Sequence, residues 1–216
     1  MIRSHTRVLL ALLALGLAAI TSAAHTVTFV ASVPLQATDW STTLTVPQFN
    51  PAVGALSGGT VEVRDSLVHK IEYENTSPSS GSTFSDSTYV TVNVMRPAST
   101  ALVAAVARLY KTGTVGTYDG LIDYAGTSGV TFDGLVDYAT SSSTTTAPAD
   151  LALFTGTGTI SLPCQASAYF LFGYSGGNAH YRLTTQAAAY VAVTYTYNRV
   201  TPAQQTTWGK IKSLYR

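Results

Sequence analysis

The stretch TVEVRDSLVHKIEYE, residues 60–74, decides the fold, because apolar and charged side chains alternate along it. The apolar phase holds Val61, Val63, Leu67, His69, Ile71 and Tyr73. The opposite phase carries charge at Glu62, Arg64, Lys70, Glu72 and Glu74. A period of two indicates a β-strand with one face on a core. Asp65 interrupts the apolar phase, and we predict a bulge or a bend there.

The same alternation recurs along the chain, at residues 27–33, 90–94, 160–172 and 190–197. β-Branched and aromatic residues fill these runs, as strands prefer, and the Val-rich segment 101–109 is predicted to be a strand as well. Turn signals lie between the runs, at residues 47–51, 56–59, 77–87, 141–148 and 175–178, and the last is predicted to be a hairpin turn. Strands at this spacing predict an all-β fold, a single antiparallel β-sandwich resembling a jelly roll over residues 25–200. A chain of this length buries a core without disulfides or metals.

The amino terminus, MIRSHTRVLLALLALGLAAITSAAH, has the pattern of a secretory signal peptide. Arg3 and Arg7 precede an apolar run over residues 8–20, and the small residues Ser22 to Ala24 follow it. The apolar run is shorter than the roughly twenty residues that a transmembrane helix needs. We therefore predict that residues 1–24 are cleaved, that the protein is secreted or held at the cell surface, and that no transmembrane anchor remains.

Charge and cysteine content narrow the classes of function. The chain has 12 Lys and Arg, and losing Arg3 and Arg7 leaves 12 − 2 = 10 against 11 Asp and Glu. The net charge is then near −1, no basic patch stands out, and nucleic acid is not expected as a partner. Cys164 is the only cysteine, so no internal disulfide is expected. It shares the apolar phase of Ile160 and Leu162, which predicts a buried, unreactive thiol.

A doubled motif, YDGLIDYA at residues 118–125 and FDGLVDYA at residues 132–139, places four carboxylates close together in the sequence. The candidate metal ligands are Asp119, Asp123, Asp133 and Asp137. If the copies paired as a hairpin, the carboxylates would approach one another and require a cation, for which calcium is the candidate. The spacing of a calcium-binding loop is missing, however, and Asp-Gly also marks tight turns. We predict no other cofactor.

Other motifs do not support catalysis. Ser128 lies in AGTSGV, which lacks the second glycine of a hydrolase elbow. His69 is predicted to be a core histidine and His180 a loop histidine, since neither has a second ligand at metal spacing. The segment FTGTGTISL matches no phosphate-binding loop. Glycoside hydrolysis needs two carboxyl groups about 5 to 10 Å apart, which sequence spacing does not establish. We predict no catalytic residue and no enzymatic activity.

Four segments resemble the choice-of-anchor E domain family of exported bacterial β-proteins: LTVPQFNPAVGALSGGTVEV, the doubled motif, DLALFTGTGTISL and VAVTYTY. The resemblance implies a bacterial envelope location and no defined reaction. Family members often end in a Pro-Glu-Pro motif and an apolar span, whereas this chain ends VTPAQQTTWGKIKSLYR. Trp208, Ile211 and Leu214 fall at helical spacing in that tail. Residues 201–216 are therefore predicted to be a sorting or attachment segment, with a loosely docked terminus as the alternative.

These observations favour an exported, non-catalytic protein of the envelope or extracellular matrix, with a structural or adhesive role. Its expected partners are surface polysaccharide or neighbouring envelope proteins. A carbohydrate-binding module is the alternative, which a concave face with an exposed tyrosine row would favour. A secreted glycan-active enzyme is the third hypothesis and would show a deep pocket with convergent polar groups.

Overall fold

The computed structural model describes residues 24–199, so the predicted signal peptide, apart from Ala24, and the predicted tail lie outside the described residues. Eight strands account for most of the described chain: β1 His25–Ala37, β2 Trp40–Pro47, β3 Gly54–Asn75, β4 Ser82–Met95, β5 Ala101–Val115, β6 Gly129–Thr145, β7 Thr159–Tyr174 and β8 Ala179–Arg199. A short 3-10 helix, Pro51–Val53, precedes β3, and helix α1, Pro148–Phe154, precedes β7.

The strands form two four-stranded antiparallel sheets, which pack face to face. The first has the order β1-β8-β3-β6 and is called sheet A here, and the second has the order β2-β7-β4-β5 and is called sheet B. β1 pairs with β8, β2 with β7, β3 with β6 and β4 with β5. This is the order of a long hairpin wrapped into a jelly roll. The predicted all-β sandwich is confirmed.

The core lies between the sheets and is built from the inward phase of each strand. Val63 and Leu67 of β3 are fully buried, as are Val92 of β4 and Leu162 of β7. The predicted alternation therefore holds, because each pleated strand turns every second side chain inward. Cys164 is buried in the same core, and this burial raises the pKa of its thiol to about 11. The thiol is accordingly protonated at neutral pH, as predicted for an unreactive cysteine.

The predicted irregularity at Asp65 is wrong. Asp65 stays in register, opposite Ala139 of β6 and Ala189 of β8. It remains in the buried phase because its carboxylate accepts a hydrogen bond from the backbone N–H of Ala107, on β5 of the opposite sheet, at 3.2 Å. The register shifts of β3 lie elsewhere: against β6 between His69 and Ile71, and against β8 between Leu56 and Gly58.

Three predicted turns are also corrected. Residues 56–59 belong to β3, residues 82–87 to β4 and residues 141–145 to β6, since each segment pairs with a neighbouring strand. Residues 175–178 do form a turn, with φ of 90° at Gly176 and 111° at Gly177. This turn joins sheet B to sheet A and closes no hairpin, because β7 and β8 lie in different sheets.

Helix α1 was not predicted, because the sequence around it is a Ser/Thr-rich connection. Pro148 starts it, in keeping with the preference of proline for the first helical turn. Arg96 holds Asp150 of the helix with two hydrogen bonds, of 2.7 and 2.8 Å, and Thr145 donates a third, of 2.9 Å. The buried Phe154 ties the helix end to the core. Within residues 24–199, the helices are too short to cross a membrane.

Candidate functional site

The two copies of the doubled motif have different structures and do not pair with each other. Residues 118–125 lie in the β5–β6 loop (residues 116–128), whereas residues 132–139 belong to β6 and pair with β3. In the second copy Asp133 and Gly134 form a bulge opposite Lys70, with φ of 66° at Gly134. The Asp-Gly pair is thus a turn signal only in the first copy.

Each of the four aspartates has its own backbone partner. Asp119 accepts from the N–H groups of Leu121 and Thr127, at 3.2 and 3.3 Å, and the bond from Leu121 is the main cause that lowers the pKa of Asp119. The other three aspartates accept as follows: Asp123 from Ala125 at 3.0 Å, Asp133 from Gly134 at 2.7 Å and Asp137 from Arg108 at 2.7 Å. The part of the chain that the structure describes brings together no group of three or more potential metal ligands.

Calcium binding by these aspartates stays a hypothesis from the sequence, and a chelator tests it. Because the four carboxylates are held apart by separate backbone bonds, we expect EDTA to leave the thermal unfolding midpoint unchanged. Differential scanning calorimetry with EDTA, and then with excess calcium, would measure this. A midpoint that falls in EDTA and recovers only with calcium would instead support a calcium site.

Buried polar groups between the sheets form a cluster that the sequence predicted only in part. The Nδ1 atom of His69 lies 2.9 Å from the Thr185 hydroxyl, and its Nε2 atom lies 3.3 Å from both Asp86 and Thr88. Thr88 donates to Asp86 at 2.7 Å. These side chains are all buried, so His69 is a hydrogen-bonded core histidine, as predicted. Asp86 was missed because residues 77–87 were predicted to be a turn region, although Phe84 and Val90 share its phase.

Asp65 is a buried acid of the core whose pKa is strongly raised by its surroundings. Loss of hydration raises its pKa from the ordinary value of 3.8 to about 7, the Ala107 N–H opposes this, and the nearby negative charge of Asp137 adds to it. Its second oxygen, Oδ1, has no hydrogen-bond partner. The folded protein therefore holds a proton on Asp65 at pH values where the unfolded chain does not.

Stability is expected to fall as pH rises through this interval. The pKa of Asp65 is higher in the folded protein than in the unfolded chain. Its protonation therefore contributes fully to the free energy of unfolding below pH 4, and this contribution is lost by about pH 7. The full interval corresponds to ~4 kcal/mol, which solvent relaxation reduces to about 2 kcal/mol. Asp65→Asn should remove this pH dependence. In urea unfolding, we expect its free energy of unfolding to match that of the parent at pH 4 and to exceed it at pH 8. Equal stability of both proteins at pH 8 would contradict it.

The outer face of sheet B carries an exposed group of aromatic side chains. Tyr89 of β4 lies between Tyr169 of β7 and Arg108 of β5, with 6.3 Å between the two tyrosine ring centroids and the Arg108 guanidinium 5.5 Å from the Tyr89 ring. The next row along the strands places Leu171 and Tyr110 on either side of Ser87. Tyr110 is 70% exposed and Tyr169 60% exposed. We call Tyr89, Tyr110, Tyr169 and Leu171 the aromatic face.

A hollow of about 720 Å³ adjoins this face. It forms because the next two rows of cross-strand neighbours in sheet B have small side chains. The first row is Gly173, Ser85 and Thr112, and the second is Ser175, Thr83 and Thr114. The hydroxyls of Thr83 and Ser175 are 2.8 Å apart. We call this the hydroxyl hollow, and the residues that line it include no carboxylate or histidine.

Sequence reasoning missed the aromatic face and the hydroxyl hollow. Tyr89 and Tyr169 lie in the phase opposite to the apolar residues of their strands, which was the available signal. Their proximity was not readable, because a long stretch of chain separates β4, which carries Tyr89, from β7, which carries Tyr169. Tyrosine is also common in strands of every kind, so its presence alone does not indicate a binding site.

Comparison with known proteins establishes no family. No family model and no curated protein matches the chain. Among solved structures, the infectious bursal disease virus VP2 subviral particle is 12% identical, with a TM-score of 0.22 over 84% of this chain and 38% of that one. The tailspike protein of Acinetobacter baumannii phage AM24 is also 12% identical, with a TM-score of 0.18 over 82% of this chain and 27% of that one. The chain spans less than half the length of either protein, and these similarities indicate nothing about function.

Proposed function

We propose that this chain is an exported, non-catalytic β-sandwich protein of the bacterial envelope or extracellular matrix, which adheres to polysaccharide through the outer face of sheet B. The observation that carries the proposal is the aromatic face, beside a hollow lined with hydroxyls. The signal-peptide pattern and the resemblance to the choice-of-anchor E domain family support the location.

The chemistry of the two surfaces complements that of a sugar polymer. A pyranose ring has apolar C–H faces and a rim of hydroxyls, so aromatic side chains contact the former and Ser or Thr hydroxyls bind the latter. β7 and β5 flank β4, which places the backbones that carry Tyr169 and Tyr110 roughly 10 Å apart across the sheet. An extended polysaccharide that crosses the strands can therefore contact both rings.

The residues around the hydroxyl hollow favour binding without hydrolysis. Glycoside hydrolysis uses two carboxyl groups placed on either side of the scissile bond, and the residues that line the hollow supply neither. The acid nearest in sequence, Asp86 of β4, does not point into it, because Asp86 is buried in the inward phase between the sheets. The surface can hold a polymer, but it brings no acid–base pair to it.

The decisive test is to fill the hydroxyl hollow without disturbing the core. A Cβ atom at Gly173 would meet the Ser85 hydroxyl at 3.7 Å, an ordinary contact, so Gly173→Leu should fold normally and cover the floor of the hollow. We expect at least about tenfold weaker retention, or ~1.4 kcal/mol. Affinity electrophoresis and pull-down with β-glucans, chitin and mannan would measure it.

The control is Ala192→Leu, which enlarges a side chain on the outer face of sheet A and should leave binding unchanged. Unaltered retention by Gly173→Leu would remove the hollow from the binding site. If the parent protein binds none of the polysaccharides, adhesion to carbohydrate is overturned, and a protein neighbour becomes the better partner.

A further inference from the structure

A second, apolar slot of about 270 Å³ lies where β1 begins and β8 ends. Its walls are mainly Val27, Phe29, Phe49, Val53 and Tyr197. Phe49 is buried, but Val53 is 49% exposed, and Val27, Phe29 and Tyr197 are only half-buried. Apolar side chains grouped around such a slot indicate a surface that binds something apolar.

The end of the described chain lies at this slot. Arg199 pairs with Gly54, the residue that follows Val53, and Tyr197 is itself part of the slot wall. The remaining 216 − 199 = 17 residues therefore continue from beside the slot. Trp208 comes nine residues after Arg199, which allows a reach of roughly 30 Å in an extended chain. The slot lies well inside this distance.

The sequence of this carboxy-terminal segment supplies a matching apolar group. Trp208, Ile211 and Leu214 recur every third residue among polar and basic neighbours, a pattern typical of one helix face. The slot offers aromatic partners for Trp208, because Phe49 and Tyr197 both line it. Their ring centroids are 5.0 Å apart. A segment tethered to the same chain also has an effective concentration on the order of millimolar, which favours it over a free competitor.

We propose that the carboxy-terminal segment, residues 200–216, folds back on its own sandwich and inserts Trp208 into the slot between Phe29, Val53 and Tyr197. Ile211 and Leu214 then extend the contact over the neighbouring apolar surface. This interaction is independent of the polysaccharide face, because the slot is formed by β1, β8 and the segment around the 3-10 helix, whereas the aromatic face belongs to sheet B.

Tryptophan fluorescence of the mature chain tests this directly, because the chain has two tryptophans. Trp40→Phe leaves Trp208 as the reporter, and we expect blue-shifted emission and slow quenching by acrylamide. The difference spectrum between the parent and Trp208→Phe gives the same readout without changing Trp40. Val53→Asp, added to Trp40→Phe, should shift the Trp208 emission to the red and restore fast quenching.

The matched control is Val30→Asp, a β1 residue that is 56% exposed and outside the slot, which should leave the Trp208 emission unchanged. Red-shifted, freely quenched emission in Trp40→Phe and in the difference spectrum would overturn the proposal. So would blue-shifted emission that Val53→Asp does not move, since Trp208 would then be buried elsewhere. Emission that depends on protein concentration would show exchange between two copies and overturn insertion into the same chain.

Discussion

Replacing Tyr110 and Tyr169 together by alanine is expected to weaken polysaccharide binding by roughly a hundredfold, if each ring contributes about 1.4 kcal/mol. Both side chains project from the outer face of sheet B and are more than half exposed, so truncating them opens no cavity in the core. The loss should therefore appear in binding and not in stability. Tyr89 remains in this variant, and the Arg108 guanidinium still lies 5.5 Å from its ring.

Isothermal titration with oligosaccharides from the best-retained polymer would measure the loss, and urea unfolding would verify the fold. The matched control is Tyr138→Ala on β6, since Tyr138 is 68% exposed but lies in sheet A. If Tyr138→Ala weakened binding as much as the double variant, the binding surface would not be the aromatic face. If the double variant bound the oligosaccharides as tightly as the parent protein does, the proposed function would be contradicted.

Gly129→Ala is expected to lower the free energy of unfolding by about 3 kcal/mol, through overpacking against atoms that cannot move aside. A Cβ atom at Gly129 would collide with the backbone of Ala125 and with the carboxylate of Glu74. Glu74 is buried and accepts the Tyr124 N–H at 2.7 Å, while the Gly129 N–H donates to the Ala125 carbonyl at 2.9 Å. Relief of the collision would break these bonds and detach the β5–β6 loop.

Urea unfolding of Gly129→Ala beside Gly173→Ala would test this steric argument. The second substitution also adds one methyl group to a strand glycine, but its Cβ would meet only an ordinary contact, so we expect a change within about 0.5 kcal/mol. Equal free energies of unfolding for the two variants would contradict this argument. They would show that the β5–β6 loop moves away from residue 129 with little loss of stability.

The alternation in residues 60–74 predicted β3 and its inward face, but it could not explain the acids in that strand. Asp65 was expected to cause a bulge or a bend, and Glu74 was assigned to the phase opposite the apolar residues. In the structure both are buried, because each carboxylate meets a backbone N–H from a distant segment: Ala107 for Asp65 and Tyr124 for Glu74. The compensating donors are more than forty residues away in the sequence, so local patterning does not reveal them.

The doubled motif shows the same limit for the predicted metal site. Two nearly identical octapeptides become a loop and a bulged strand, because only the second lies opposite β3 in the wrapped hairpin. The hairpin of the two copies that would have brought the four carboxylates together does not form, and calcium binding itself stays a hypothesis. Whether a segment finds a strand partner is decided by chain topology, which repeats in the sequence do not specify.

The sequence by itself determined the class of fold, the inward phase of most strands and the burial of Cys164, because a pleated backbone imposes a period of two on any strand that covers a core. The tertiary structure alone decided which strands are neighbours, and with them the aromatic face, the hydroxyl hollow and the apolar slot. Backbone hydrogen bonds between strands are chemically alike for every pairing, so the choice among partners depends on how all the side chains pack together. A binding surface built from β4, β5 and β7 therefore becomes visible only when the sandwich is assembled.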